Sequence, residues 1–275
     1  MLVPPVSTLD YAQLLAQLGA VRTRFDVDHL SECASTNSEL LLRAARGAPS
    51  GSVLVCDKQT AGRGRRGRHW ISAPGHSLTF SVLWRLPPGS PSAALSLAVG
   101  LAVAQGLESL AVPGVGLKWP NDIWLFGRKL GGVLIEVASD TAGLSLIIGI
   151  GINLKHSEVW CDEIQQAFAC LDESGLDLSR ETVLGAILTQ LAITLDNFAT
   201  LGFSALQQAW ADRNALFGLP VCIESENGTH HGLCGHADAS GALELLTDCG
   251  MRLLINGGDV SLRPVITTEP APCTY

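Results

Sequence analysis

The chain has 275 residues, of which 47% are apolar and 16% charged, enough for one large domain with a smaller one attached. Its 18 Lys and Arg against 26 Asp and Glu give a net charge of −8, which argues against a protein that binds nucleic acid by bulk charge. The N-terminal segment MLVPPVSTLD lacks the basic head and apolar run of a secretory signal, and the most apolar long window, residues 95–112, carries polar side chains. We therefore expect a cytoplasmic protein without a membrane span.

Cysteine usage agrees with that expectation. The eight cysteines are Cys33, Cys56, Cys161, Cys170, Cys222, Cys234, Cys249 and Cys273. They include no Cys-x-x-Cys pair and no His/Cys group at zinc spacing. We expect reduced thiols that pack as small apolar side chains, and no metal site built by the protein.

Two helices are predicted before residue 50. The first covers residues 10–19, with Asp10 as its cap and Gly19 as its end. The run Thr36-Asn37-Ser38-Glu39 fits a capping box, so the second helix is expected to start there and to end at Gly47.

The middle of the chain predicts a sheet. Residues 52–57 and 77–86 are strand-like, and a long apolar helix is expected to open at Pro91 or Ser92 and to run to about Leu110. Four further strands are expected at residues 115–118, 122–125, 129–138 and 144–150. Their connections are too short for crossover helices, so we predict a mixed, largely antiparallel sheet with helices packed on one face.

The last part of the chain predicts a second unit. Two helices are expected between residues 180 and 213, and short strands begin near Leu219, with Asn227-Gly228 as a hairpin signal. The fold class is therefore α+β, with a large domain over residues 1–215. A small β barrel-like domain is expected over 216–275, ending in a mobile tail.

The densest group of candidate functional residues runs from Gln59 to Trp70, with four arginines among three glycines. Glycine lets the backbone approach an anion and guanidinium groups bind its oxygens in pairs, which favours an anion-binding loop. The glycines also fit the dinucleotide fingerprint, but a strand rather than a helix follows, and we reject that interpretation. A solvated basic loop or an RNA contact remains an alternative.

A second group lies where strands begin. Lys118 and Lys129 each lead an apolar strand, with Asp122 between them, and this arrangement suggests a shared anionic site. Singly, Lys129 also fits a hairpin-turn cation and Asp122 a turn residue. The run Gly149-Ile-Gly151-Ile-Asn153 removes side chains from a strand, which admits a ligand or another backbone, although alone it also fits a bulge.

Together and in this order, the motifs resemble those of the biotin protein ligases. The matches are Ser35-Thr36-Asn37, Gln59 with the loop Gly62 to Gly67 and Trp70, Lys118 to Asp122, Arg128 to Gly132, and Gly149 to Asn153. The resemblance runs from about residue 10 to Arg263 and implies a class II synthetase-like, biotin–lipoate ligase fold for residues 1–215. It also implies an SH3-like C-terminal domain. Residues before 10 leave no room for a winged helix-turn-helix, so we expect the monofunctional form.

The resemblance implies an activity. Such ligases join biotin and ATP to biotinyl-5′-AMP with release of pyrophosphate, and then transfer biotin to one lysine of a biotin carboxyl carrier protein. Magnesium is expected with ATP, held by phosphates and water rather than by protein carboxylates. DNA and membranes are not expected partners, and a homodimer is left open.

The resemblance also implies residue roles. Lys129, Arg65 and Asp122 are the catalytic candidates, the first two beside the biotin carboxylate and the α-phosphate, and Asp122 to orient or deprotonate the acceptor lysine. The biotin site is expected to comprise Ser35, Thr36, Asn37, Gln59, Gly62, Arg63, Gly64, Arg65, Lys129, Gly132 and Gly149. The ATP site is expected to comprise Arg63, Arg65, Arg66, Trp70, Lys118 and Asn153, with Arg263 as a weaker candidate.

Two alternatives stay open. A lipoate–protein ligase shares the fold and the adenylate chemistry, although the loop from Gly62 to Gly67 favours biotin. A nucleic-acid-binding regulator would use the arginines from Arg63 to Arg68, which the net charge of −8 disfavours.

Overall fold

The computed structural model describes residues 9–140, 143–157, 167–225, 228–257 and 261–264. The helices are α1 (Tyr11–Leu18), α2 (Thr36–Ala45), α3 (Leu95–Ser109), α4 (Arg180–Leu201) and α5 (Gln207–Ala211). The first seven strands are β1 (Asp26–Cys33), β2 (Ser52–Gln59), β3 (Ser77–Leu86), β4 (Val115–Lys118), β5 (Asp122–Leu125), β6 (Arg128–Asp140) and β7 (Gly143–Asn153). The last five are β8 (Pro220–Ser225), β9 (Gly228–Ala237), β10 (Leu243–Leu246), β11 (Arg252–Ile255) and β12 (Ser261–Pro264).

The first seven strands form one sheet in the order β1-β2-β3-β7-β6-β5-β4. Strands β1 and β2 are parallel, and the other neighbours are antiparallel. This confirms the mixed, largely antiparallel sheet. Strand β1 is absent from the prediction, because Asp-Val-Asp-His-Leu-Ser-Glu-Cys has few apolar residues and lies at the sheet edge, where neither face is deeply buried.

Helices cover both faces of this sheet. Helices α1, α3 and α4 share the main core with one face, whereas Leu40 of α2 packs on Leu54, Leu83 and Ile147 of the other. The expectation of helices on one face only is therefore wrong. Helix α4 is long and apolar enough to cross a membrane, yet 56% of its apolar window is buried inside the protein, as in the core helix of a globular domain.

The second sheet has five antiparallel strands in the order β11-β10-β9-β8-β12. It confirms the expected second β unit, and β8 and β9 pair on either side of the proposed hairpin turn. Asn227 itself lies outside the described residues. The boundary near residue 216 stays a prediction, and so does the mobile tail, which lies outside the described residues from Val265 onward.

The N-terminal ends of the helices agree with the sequence prediction at α1 and differ from it at α2 and α3. Asp10 caps α1 as predicted, by accepting a hydrogen bond from the Gln13 N–H. The capping box at Thr36 is wrong, because Ser35 is the N-cap, no side chain caps the helix, and Glu39 pairs with Arg43 instead. Helix α3 begins at Leu95 rather than at Pro91 or Ser92, because Ala94 takes a left-handed conformation with φ 62°.

The described cysteines carry free thiols, as expected: Cys33, Cys56, Cys170, Cys222, Cys234 and Cys249. Cys161 and Cys273 lie outside the described residues. Burial raises the pKa of Cys234 to about 11, which fits a packing role.

Candidate active site

The face of the large sheet that α2 covers carries small residues at its centre. Gly132 of β6 pairs with Gly151 of β7, and Leu134 pairs with Gly149, so these residues point to one face. A side chain at Gly149 would meet Asn37 Oδ1 at 2.4 Å, and one at Gly151 would meet the Trp70 ring at 2.4 Å. The two glycines therefore let Asn37 and Trp70 lie directly on the sheet.

A network of neutral hydrogen bonds forms the end of this face nearest α2. The Thr36 N–H donates to Gln59 Oε1 at 2.7 Å, and the Thr36 hydroxyl does so at 3.1 Å. The Ser81 hydroxyl lies 2.6 Å from both Thr36 Oγ1 and Asn37 Oδ1. Ser35, Thr36 and Asn37 are buried, so this cluster offers fixed donors and acceptors to a polar ring.

The segment from Gly62 to Trp70, here called the arginine loop, folds over the same face. Residues Arg63 and His69 pair as a short antiparallel bridge, and the Gly64 N–H donates to the Arg68 carbonyl at 2.7 Å. A side chain at Gly62 would meet the Trp70 carbonyl oxygen at 2.2 Å. The glycines thus allow a compact turn, rather than an extended solvated loop.

Two loop arginines are anchored differently. Arg63 donates to Glu136 Oε2 at 2.7 Å and to Ser38 Oγ at 3.1 Å. Arg65 donates to Asn121 Oδ1 at 3.1 Å and to the Gly257 carbonyl at 3.4 Å, so it joins the turn before β5 to the segment after β11. Arg66 is exposed and left-handed, with φ 59°.

The two predicted lysines share one carboxylate. Lys129 Nζ lies 2.7 Å from Asp122 Oδ1, and Lys118 Nζ lies 3.6 Å from Asp122 Oδ2. Burial lowers the pKa of Lys118, and the positive charges of Lys129 and Arg68 add to that effect, while Asp122 opposes it. One carboxylate therefore faces two ammonium groups, which leaves excess positive charge for an anion. Gly132 lies beside this cluster, since a Cβ there would be 3.6 Å from Asp122 Oδ1.

The predicted adenine residues lie next to the glycines. Trp70 donates from Nε1 to Thr79 Oγ1 at 3.2 Å. Asn153 is buried and donates from Nδ2 to the Ala169 carbonyl at 3.1 Å. Arg263 lies on β12 of the second sheet, with its guanidinium 4.0 Å from Glu224. The large sheet thus brings together most candidates from Thr36 to Asn153, whereas Arg66 is exposed.

Three further residues form hydrogen bonds with the candidate site residues, although the sequence analysis gave them no role: Ser81, Asn121 and Glu136. Glu136 was visible as a lone carboxylate ending the apolar run Val-Leu-Ile, a signal that can be recognised. Ser81 carried no such signal, because a serine in a strand is common.

One mixed cluster of metal-ligand types occurs among the described residues. His156, Cys170 and Glu173 place one ligand atom each within 4.8 Å of one another. Glu173 already forms an ion pair with Arg128 and accepts from the Cys170 N–H at 2.9 Å. Since Arg128 neutralises the carboxylate, the cluster offers a cation little net negative charge, and we assign it no metal.

Comparison with known protein families and solved structures identifies the class of enzyme to which the chain is similar. A model of the biotin/lipoate A/B protein ligase family matches residues 31–153, the segment that carries the arginine loop and both lysines. A solved structure of the Aquifex aeolicus biotin protein ligase in complex with biotin and ATP superposes with a TM-score of 0.77 at 33% identity. It covers 87% of this chain and 99% of that one.

Relatives in amino-acid sequence distinguish biotin ligases from the other members of that family. The bifunctional ligase/repressor BirA of Escherichia coli K12 is 35% identical over 264 residues, covering 94% of this chain and 79% of that protein. The biotin–[acetyl-CoA-carboxylase] ligase of Mycobacterium tuberculosis is 33% identical over 265 residues, covering 94% and 96%. The chain belongs to the biotin protein ligase family.

Proposed function

We propose that the chain activates biotin with ATP and attaches it to a lysine of a biotin carboxyl carrier protein. The observation that carries this function is a single sheet face with two unlike ends. One end presents the hydrogen-bond network of Thr36 and Gln59, and the other the ammonium groups around Asp122. From Glu136 to Gly132 the strand spans about 13 Å, enough for an elongated acid whose polar ring and carboxylate lie at opposite ends.

The first step joins two anions. The biotin carboxylate attacks the α-phosphorus of ATP, a P–O bond forms, and the bond to pyrophosphate breaks. The excess charge of Lys129 and Lys118 favours this step, because it offsets the repulsion between carboxylate and phosphate. Arg63 and Arg65 of the loop are the next cations along the same face. We infer that Trp70 and Asn153 hold the adenine, beside the glycines of β7.

In the second step the carrier lysine amine attacks the acyl carbon, its C–N bond forms, and AMP leaves. We infer that Asp122 orients that amine. Its bond to Lys129 at 2.7 Å also supports a simpler role, in which it only fixes the two lysines. With Asp122 occupied in this way, Mg²⁺ bound to ATP would be held by phosphates and water.

The carrier partner follows from the family, and DNA is not a proposed partner. The net charge of −8 disfavours the bulk electrostatic attraction on which binding to a phosphate backbone depends. We propose a cytoplasmic enzyme, since free thiols suit a reducing compartment.

Pyrophosphate release tests this function. Purified protein and ATP are assayed with biotin, lipoate or octanoate, with and without a carrier domain. Release with biotin, and biotinylation of the carrier, is the expected result. Release with lipoate alone would replace biotin as the acid, and silence with all three would overturn the proposal.

Lys129→Ala tests the chemistry. We expect biotin-dependent release to fall about 100-fold or more, because a charge aligned with the developing phosphate charge is lost. The matched control is Lys58→Ala, which removes a half-exposed lysine paired with Glu32. Melting curves of both variants separate lost chemistry from lost fold. Normal release by Lys129→Ala would remove Lys129 from the catalytic group.

A further inference from the structure

Glu136 joins two parts of the site through one oxygen. Its Oε2 atom accepts from Asn37 Nδ2 at 2.7 Å and from the Arg63 guanidinium at 2.7 Å. The Glu136 side chain is 25% exposed and its partner Asn37 is buried, whereas the Arg63 side chain is 43% exposed. The bond to Asn37 is therefore the better shielded of the two, and shielding strengthens a charge-assisted bond.

The first bond fixes the orientation of the Asn37 amide. With Nδ2 held by Glu136 and by the Leu134 carbonyl at 3.3 Å, Oδ1 must face Ser81, 2.6 Å away. Asn37 is 3% exposed, and a flipped amide would direct its NH₂ group at the Ser81 hydroxyl and its oxygen at Glu136. Two oxygens would then face each other without a proton between them.

The second bond ties the arginine loop to the sheet. Arg63 also donates to Ser38 Oγ at 3.1 Å, so Glu136 on β6 and Ser38 on α2 hold one guanidinium between them. Arg63 follows Gly62 directly, and Gly62 packs against Gln59 and Trp70. A shift of Arg63 would therefore move the backbone beside Gln59.

We propose that Glu136 is a positioning residue for biotin, acting through the Asn37 amide and the Arg63 backbone rather than by touching the reacting atoms. The inference rests on the proposed function, since it assigns the ring-binding end of the face to biotin. Its loss is expected to weaken biotin binding most, with a smaller effect on ATP binding and on the chemical step, because Arg63 also borders the proposed phosphate site.

The test compares Glu136→Ala and Glu136→Gln in biotin-dependent pyrophosphate release. We expect Glu136→Ala to raise the KM for biotin about tenfold or more, the usual loss for a charged hydrogen bond, with smaller changes in kcat and in the KM for ATP. The KM for biotin of Glu136→Gln should lie between those of the wild type and Glu136→Ala. The glutamine carbonyl oxygen still accepts a hydrogen bond, but it lacks the charge that pairs with Arg63. The control is Glu244→Ala, which breaks an exposed pair with Arg252 in the other sheet.

A second measurement needs no activity. Trypsin cleaves after the arginines of residues 63–68, and we expect cleavage there to be several-fold faster in both Glu136 variants than in the wild type or Glu244→Ala, because the loop opens more often. If Glu136→Ala does not fold, Glu136→Gln decides both measurements.

Unchanged KM for biotin, or a fall in kcat with KM unchanged, would overturn the proposal. Trypsin cleavage of both Glu136 variants at the wild-type rate would show that the Arg63–Glu136 bond does not hold the loop. If the wild type itself shows no biotin-dependent release, the proposed function fails, and the trypsin result still reports on that bond alone.

Discussion

Lys118 is a cation that the fold itself disfavours. Its side chain is 17% exposed, and burial lowers its pKa, with Lys129 and Arg68 acting in the same direction. Asp122 offsets only part of this, because it is shared with Lys129. A bound polyphosphate would supply the negative charge that the two lysines lack, so this arrangement favours the binding of anions.

Lys118→Met should therefore stabilise the protein near neutral pH while it weakens ATP binding. The folded-state pKa of Lys118 lies below its unfolded value, so the fold bears the full cost of the charge below the folded pKa. That cost disappears as pH rises from the folded toward the unfolded pKa. The stability gain of Lys118→Met over the wild type should be larger at pH 7 than near pH 10, as measured by urea unfolding.

Lys58→Met, at a half-exposed pair, is the control for the removal of a lysine. A gain for Lys118→Met that is absent at pH 7, or that grows with pH, would show that burial does not dominate at this residue.

Residue chemistry alone drew attention to Lys118 and Lys129, whereas Thr36 was assigned to the site only through the family resemblance. Lys118 ends β4 and Lys129 lies at the start of β6. Two lysines in such apolar strands are improbable without an anion, so both could be found from sequence. Thr36 misled the capping prediction because its hydroxyl serves Gln59 and Ser81 instead. The partners of Thr36 lie on strands distant in sequence, so a rule based on neighbouring residues could not predict that they would compete with capping.

At the scale of elements, the arginine loop depends on its anchors. Its short turn over residues 65–67 is joined to the large sheet through Asn121 and to the second sheet region through Gly257, both by Arg65. A loop held in this way can exclude water from a mixed anhydride, which hydrolyses readily.

Arg65→Gly should still form the adenylate yet release it. We expect lysines of bystander proteins to become biotinylated in the presence of biotin and ATP, because the variant loses the Arg65 bonds to Asn121 and Gly257 while the Arg63 bonds remain. Mass spectrometry of added serum albumin measures this labelling. Arg46→Gly, at the end of α2 and outside the loop, is the control, and adenylate retention equal to the wild type would refute the closure role.

Elements with strong periodicity were predicted almost to the residue, and weak ones were not. Strand β3 and helix α4 have the expected bounds, because each carries closely spaced apolar residues along most of its length. Strand β1 was missed, since its parallel pairing with β2 supplies backbone hydrogen bonds that its side chains do not signal. The start of α3 differed because Ala94 contacts the second sheet at Gly241, a tertiary constraint.

At the scale of the whole molecule, side-chain hydrogen bonds join the second sheet to the elements that precede it in the chain. Trp119 donates from Nε1 to the Gly241 carbonyl at 3.0 Å, and Asn214 donates to the Gly235 carbonyl at 2.9 Å. Gln207 donates to the Ala237 carbonyl at 2.8 Å. Trp119 directly follows Lys118, so the contact that joins the sheets also borders the site.

Trp119→Phe should measure this coupling. The substitution keeps an aromatic ring but leaves the buried Gly241 carbonyl without its donor, so we expect the free energy of unfolding to fall by about 1–3 kcal/mol. Trp124→Phe is the matched control, because within the described part of the chain its buried Nε1 atom has no hydrogen-bond partner. Removing that N–H deletes no bond, and its cost should be smaller. Equal losses in urea unfolding would mean that ring packing, rather than the bond to Gly241, joins the two sheets.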